Sequence, residues 1–315
     1  MSQIFDRVAL IGLGLIAGSM SRAIRGAGLA GEVVGSDISP EVRAEAAEID
    51  LVDRVCDTAA EAVEGADLVV LAVPVGAMGQ VAQEIGPHLS PGATLSDVGS
   101  VKRDVIAAVT PHLPEGVHFV PAHPLAGTEH SGPRAGFAEL FVNRYTLLVP
   151  VEGSDRAAVD RLGDLWRGMG ANIDEIEPER HDLVLAVTSH APHLIAYTMV
   201  GVADDLSRVT NSEVIKYSAS GFRDFTRIAA SDPVMWRDVF LSNKEATLEI
   251  LGRFTEELFA LQHAIRGGDG PKLESYFTRT RAIRRGIIEA GQDTHEPNFG
   301  RSAVASVGAE DEAAE

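Results

Sequence analysis

Short, continuously apolar runs alternate with amphipathic stretches through the first half of the chain. Val8–Ile11, Glu32–Ser36, Leu68–Val73, Ala93–Asp97 and Val117–Pro121 predict strands. Ile16–Arg25, Pro40–Ile49, Met78–Ile85 and Lys102–Val109 predict the helices between them. Runs such as LVVLAV are apolar on both faces, which suits a parallel sheet covered on both sides. Strands alternating with helices at this pitch predict βαβ units, and so an α/β, doubly wound, mainly parallel sheet. Tyr145–Pro150 and Asn172–Ile176 read as further strands at the edge of this domain.

After Glu177 the texture changes to long helical patterns: His181–Leu206, Asn211–Tyr217, Pro233–Ile265 and Lys272–Glu289. In the third, Leu248, Leu251, Phe254, Leu258, Leu261 and Ile265 recur three or four residues apart, which builds one broad apolar stripe. The stripe can pack within the chain or cover a second copy of it. The expected division is a sheet domain over 1–177, a helical domain over 178–298 and an acidic, disordered tail over 299–315.

Composition narrows the partners. Of 315 residues, 27 are Lys or Arg and 46 are Asp or Glu, a net charge of −19. So acidic a surface argues against nucleic acid and anionic membranes as partners, though a local site can still bind an anion. The single cysteine, Cys56, excludes an internal disulfide, a cysteine zinc site and a CxxC redox centre. No uninterrupted apolar run reaches the length of a membrane span, and no leader pattern opens the chain, so the cytoplasm is the expected location.

Val8–Ile11 runs into Gly12-Leu13-Gly14-Leu15-Ile16-Ala17, a GxGxxA pattern between a strand and a helix. Gly12 permits the tight turn, Gly14 leaves room for a pyrophosphate, and Ala17 allows close helix–strand packing. The free N–H groups at Gly14, Leu15 and Ile16 would face the phosphates. Asp37 ends the second strand, 23 residues after Gly14, where a carboxylate binds ribose hydroxyls and repels a 2′-phosphate. The motif therefore predicts a dinucleotide, with NAD favoured over NADP. Val73 and Pro74 end the third strand, at the edge where such a cofactor lies.

Two polar clusters follow at strand ends, Asp97–Lys102 and Ala122–Glu129. Hydride transfer needs a group that takes the carbinol proton, and a neutral histidine does this at physiological pH. His123, fixed before Pro124, is the best candidate. Ser100 either shares the substrate oxygen or caps the next helix. Lys102 either anchors the nicotinamide end or a carboxylate, or is a solvated charge. In the helical half, His190 and His193 lack a carboxylate at ligand spacing, so no metal is expected. The Gly221–Ala229 segment carries Arg223 and Arg227, which suit carboxylate recognition. Trp236 either walls a ring-shaped substrate or belongs to the core.

With these residues in view, the chain resembles the prephenate/arogenate dehydrogenase family. The resemblance rests on GLGLIAGS at 12–19, DVGSVK at 97–102, HPLAGTEHSG at 123–132, SHAPH at 189–193 and FRDFTRIAASDPVMW at 222–236. It implies a Rossmann-like domain followed by a helical dimerisation domain, and so a homodimer. It implies oxidative decarboxylation of prephenate to 4-hydroxyphenylpyruvate, or of arogenate to tyrosine, with NAD as hydride acceptor. By the same resemblance His123 takes the proton of the ring C4 hydroxyl, and Ser100 lies near that hydroxyl and the nicotinamide. Arg227 binds a substrate carboxylate, and Glu129, His193 and Trp236 shape or gate the pocket. Ala17 stands where many members have glycine. A β-hydroxyacid dehydrogenase is the nearest rival, but the lysine motif it needs on the helical side is missing. A non-catalytic dinucleotide sensor is the other, and intact DVGSVK and HPLAG argue against it.

Overall fold

The computed structural model describes residues 3–128, 130–210 and 219–289. Six parallel strands form the main sheet: β1 (Phe5–Ile11), β2 (Ala30–Ser36), β3 (Arg54–Val55), β4 (Leu68–Leu71), β5 (Thr94–Asp97) and β6 (His118–Phe119). Their order is β3-β2-β1-β4-β5-β6, the doubly wound arrangement whose ligand crevice opens where the winding reverses, between β1 and β4. The helices between them are α1 (Leu15–Ala27), α2 (Pro40–Glu48), α3 (Ala59–Val63), α4 (Met78–Ile85) and α5 (Arg103–Val109). Every residue of β4 is buried, as its unbroken apolar run requires of a central strand. β3 and α3 escape sequence reading because two and five residues carry no usable periodicity.

Tyr145–Leu148 and Asn172–Glu175 are strands, as expected, and they belong to a second, three-stranded sheet. β7 (Ala122–Pro124) pairs antiparallel with β8 (Tyr145–Leu148), which pairs parallel with β9 (Asn172–Glu175). His123 thus lies within a strand, opposite Leu147. Between β8 and β9, α6 (Arg156–Gly168) is capped by the Asp155 carboxylate and packs Leu162, Leu165 and Trp166 with Phe5, Met20 and Ile24 on one face of the main sheet.

Beyond β9 come α7 (Pro178–Leu185), a π-helical turn (Ala186–His190), α8 (Ala191–Thr210), α9 (Ser220–Thr226), a 3-10 turn (Arg227–Ala230), α10 (Pro233–Ser242), α11 (Lys244–Gly267) and α12 (Gly270–Glu289). Trp236 and Val239 of α10 join the core on the other face of the main sheet. The expected single helix over 233–265 is broken at Asn243, whose side chain is used elsewhere (below). The expected helix at 211–217 and the tail at 299–315 lie outside the described residues. By length and composition Pro178–Leu206 would pass as a membrane span, which uninterrupted apolar runs did not reveal. The same stretch carries the buried polar side chains of His181, Asp182 and His190.

One compact unit extends to Leu251 and a second begins at Gly252. In the second, the later part of α11 turns through Gly268, at φ +67°, into α12. Of the predicted stripe, Leu248, Phe254, Leu258 and Ile265 are all exposed, as are Phe259, Phe277 and Ile283 nearby. Leu251 and Leu261 of the stripe are half-buried.

The turn after β1 depends on Gly12, at φ +93°, where an added Cβ would sit 2.7 Å from the Ala72 carbonyl oxygen. An added Cβ at Gly14 would meet nothing within 4 Å. Gly12→Ala should therefore cost at least about 1–2 kcal/mol in urea unfolding, from the left-handed backbone alone. Gly14→Ala should leave the midpoint nearly unchanged, and equal effects at the two positions would overturn this account of the turn.

Candidate active site

The glycine turn opens the crevice. Gly14 is the N-cap of α1 and provides no side-chain cap, so the first amides of the helix are left for an anion. Gly14, Leu15 and Ile16 are half-exposed there, while Ala17 is buried against the sheet. The Asp37 carboxylate accepts hydrogen bonds from the Leu13 amide (2.8 Å) and the Ser39 amide (2.9 Å). It thereby ties the end of β2 to the glycine turn and keeps lone pairs for ribose hydroxyls. Ser39, not Asp37, caps α2. Val73 is half-buried beside Gly12, and Pro74 is exposed at the start of a short 3-10 turn. These features fit a dinucleotide: an uncapped helix N-terminus, an open approach at Gly14 and a carboxylate at the ribose position.

The strand ends are stitched across the sheet. Gly12 lies against Ala72, the Val98 amide donates to the Leu71 carbonyl, and the Lys102 ammonium donates to the Ala122 carbonyl (2.7 Å). His123 follows Ala122 and so stands on the same edge as the glycine turn. Lys102 is neither solvated nor open to a substrate carboxylate, as the sequence had suggested. It is fully buried and ion-paired with Asp97, whose Oδ2 also accepts from the Gly99 amide (2.8 Å). Burial pulls the Lys102 ammonium below its usual range, and the Asp97 carboxylate opposes that pull.

His123 is 8% exposed. Its Nδ1 lies 2.9 Å from Nε2 of His181, whose Nδ1 lies 2.8 Å from Oδ1 of Asp182. The Asp182 carboxylate also accepts from the Lys102 amide (2.8 Å) and the Arg103 amide (3.0 Å), which are the first amides of α5. Asp182 thus does the capping that Ser100 was a candidate for, and leaves the half-buried Ser100 hydroxyl free of that duty. Burial pushes the Asp182 carboxyl up, but hydrogen bonds from His181 and the two amides outweigh it and hold it below its ordinary value. His123 is held well below the ordinary imidazole value by burial first, then by His181, Lys102 and His190. His181 is lowered too, by burial against the pull of Asp182.

The SHAPH stretch folds as it does because Pro192 has no amide to donate. The preceding turn is π-helical, with the Ala191 amide donating to the Ala186 carbonyl. A π turn carries an extra residue, so His190 rotates by about 100° toward the side of His181. Asn243 donates through Nδ2 both to the Asp182 carbonyl (2.8 Å) and to His190 Nδ1 (3.1 Å). That geometry fixes His190 with a bare Nδ1, and burial lowers its pKa to about 4. His193 donates from Nδ1 to the Ser189 carbonyl (2.8 Å) and stacks on Trp236, ring centroids 3.7 Å apart and 25° from parallel. Its Nε2 is left as an acceptor.

Trp236 is buried, so its ring serves first as the platform under His193. Arg227 is exposed at the head of its 3-10 turn, and its charge helps burial lower His193. Glu129 lies outside the described residues. The structure thus gathers His123, Ser100 and Lys102 around one strand edge, and His193, Trp236 and Arg227 around α8 and α10. His181, Asp182 and Asn243 were missed because nothing in their local sequence marks a helix-start His-Asp pair or a helix-breaking Asn as functional. Among the described residues, no three His, Cys, Asp or Glu side chains are grouped as metal ligands would be.

Comparison with known proteins decides the family. The nucleotide-binding domain of prephenate dehydrogenase matches residues 20–175, and its dimerization domain matches residues 177–279. The chain belongs to the prephenate dehydrogenase family. It is 41% identical to the cyclohexadienyl dehydrogenase of Zymomonas mobilis over 281 residues, 89% of this chain and 96% of that protein. It is 34% identical to the prephenate dehydrogenase of Bacillus subtilis over 288 residues, 91% of this chain and 77% of that one. A crystal structure of prephenate dehydrogenase from Aquifex aeolicus, in complex with hydroxyphenyl propionate and NAD+, superposes with a TM-score of 0.83 at 32% identity. That match covers 90% of this chain and 98% of the Aquifex chain.

The buried histidines carry a pH prediction. His123, His181, His190 and His193 all have folded pKa values below the ordinary 6.5. The unfolded chain therefore takes up protons first as pH falls through about 6.5, and folded stability drops from there. For His190 alone, with a value of about 4, the loss amounts to about 3 kcal/mol once pH is below 4. Urea midpoints measured from pH 7.5 down to 4 should fall steadily, and a flat profile would refute neutral burial.

Proposed function

We propose that this protein oxidatively decarboxylates prephenate or arogenate in tyrosine biosynthesis, working in the cytoplasm as a homodimer. The observation that carries the reading is His123: buried, neutral at pH 7, and fixed on the strand edge that the glycine turn shares. When bound, NAD supplies the hydride acceptor. Gly12 and Gly14 leave it room, the amides at Leu15 and Ile16 face its pyrophosphate, and Asp37 takes the ribose hydroxyls and disfavours NADP. Val73, Pro74 and Ser100 line the nicotinamide end.

His123 takes the proton of the C4 hydroxyl as the C4–H hydride departs, leaving a ketone at C4. The C1–carboxylate bond then breaks, carbon dioxide leaves, and its electron pair restores the aromatic ring. The C4 oxygen regains the proton from His123, so the histidine is unchanged over the cycle. Aromatisation is intrinsic to the substrate, and the protein's work is to orient and to hold one proton. Arg227 offers a planar guanidinium to a substrate carboxylate. His193, pinned on Trp236, offers a bare Nε2 to a substrate donor. The exposed stripe from Leu248 to Ile265 supports burial against a second copy.

Mixing the protein with NAD and prephenate, and separately with arogenate and with 3-hydroxy acids, tests the reaction through NADH and carbon dioxide release. Release from neither cyclohexadienyl substrate overturns it. His123→Asn should lower kcat by about 10²-fold or more and leave NAD affinity unchanged; near-normal turnover removes His123 from its role. Arg227→Ala should raise the KM for prephenate by about tenfold or more, the loss expected of a charge-assisted hydrogen bond. An unchanged KM sinks the carboxylate assignment.

A further inference from the structure

The hydrogen bonds around His123 determine where its proton sits. Asp182 accepts from two backbone amides, which favours its ionised form. A carboxylate can only accept, so His181 must donate to it from Nδ1–H. A neutral His181 then has a bare Nε2, and that atom faces His123 Nδ1 at 2.9 Å. His123 must therefore carry its proton on Nδ1 and present a bare Nε2.

We propose that His181 and Asp182 are positioning residues that lock His123 in its Nδ1–H tautomer, with Nε2 as the nitrogen that takes and returns the substrate proton. The pair does more than orient the ring. While His123 is protonated, its Nδ1–H points at a neutral imidazole backed by an ionised carboxylate, which stabilises the transient imidazolium. The arrangement plays the part that an aspartate plays for the histidine of a serine-protease triad, with one further imidazole inserted. Asn243 closes the frame from the other side, because it holds the Asp182 carbonyl and His190 at once. The groups facing His123 are thus His181 from α7, Lys102 from the turn before α5 and His190 from the π turn, the last kept neutral by burial.

The inference rests on the proposed reaction for its catalytic meaning, but the tautomer is open to test without substrate. In protein labelled with ¹⁵N-histidine, the resonances lost in His123→Asn identify His123. Its Nδ1 should be protonated and its Nε2 bare at pH 7; a protonated Nε2 overturns the proposal whatever the substrate proves to be. In turnover, His181→Ala should lower kcat by about 10²-fold or more with little change in KM or NAD affinity. His181→Gln, whose amide oxygen can replace Nε2 as acceptor, should recover kcat to within about tenfold of the parent. Asp182→Asn should lower kcat and shift the His123 proton to Nε2, because an amide can donate to His181 and reverse the chain of bonds. If His181→Ala keeps full kcat, or if folded His181→Gln falls as far as His181→Ala, the positioning role is refuted.

Discussion

One carboxylate organises the centre of this protein. Asp182, near the start of α7, accepts the Lys102 and Arg103 amides at the start of α5 and the Nδ1–H of His181. The first two bonds place a negative charge at a helix N-terminus, where the helix dipole favours it. The third passes that charge to the site. A helix that follows the second sheet is thus fastened to a helix of the main sheet through the same atoms that steer the catalytic candidate. Removing the carboxylate would loosen both at once, so structure and chemistry here share one group.

Below that carboxylate lies a second buried charge system, and the two explain how a chain of net charge −19 makes a neutral site. Lys102 is paired with Asp97 and donates to the Ala122 carbonyl, one residue from His123. The ammonium neutralises Asp97 and adds a positive field that discourages protonation of His123. Had Lys102 been a substrate ligand, it would have had to leave Asp97 buried and unpaired, at a cost of several kcal/mol. The uncapped amides of α1 need no such rearrangement to meet an anion.

Much of this was legible in sequence, for physical reasons that differ by element. The parallel strands were legible because a two-sided sheet demands unbroken apolar runs. The glycine turn was legible because only glycine tolerates the backbone and the contact at Gly12. His123 stood out by its place at a strand end, not by its neighbours. The His181–Asp182 pair was invisible because its meaning is tertiary: 58 residues separate His181 from its partner His123, and 80 separate Asp182 from Lys102. Lys102 was misread although its partner Asp97 lies only five residues earlier in the chain, because the burial of both side chains is a tertiary fact. Asn243 was hidden within an amphipathic pattern that continues across it, and only its hydrogen bonds explain why the helix breaks there.

The energetics of the reaction explain why such an apparatus suits a histidine of low basicity. The proton that leaves the C4 hydroxyl returns to the same oxygen once the ring is aromatic. A strong base would hold that proton and slow its return, whereas a free imidazole in water would already be partly protonated near neutral pH. Burial makes His123 a weak base, and on the proposed assignment the line of His181 and Asp182 limits the cost of the charge while the proton is on it. Stabilisation that appears only as charge develops lowers the barrier without deepening the ground state. The buried pair thus places its interaction energy at the one stage of the cycle that needs it.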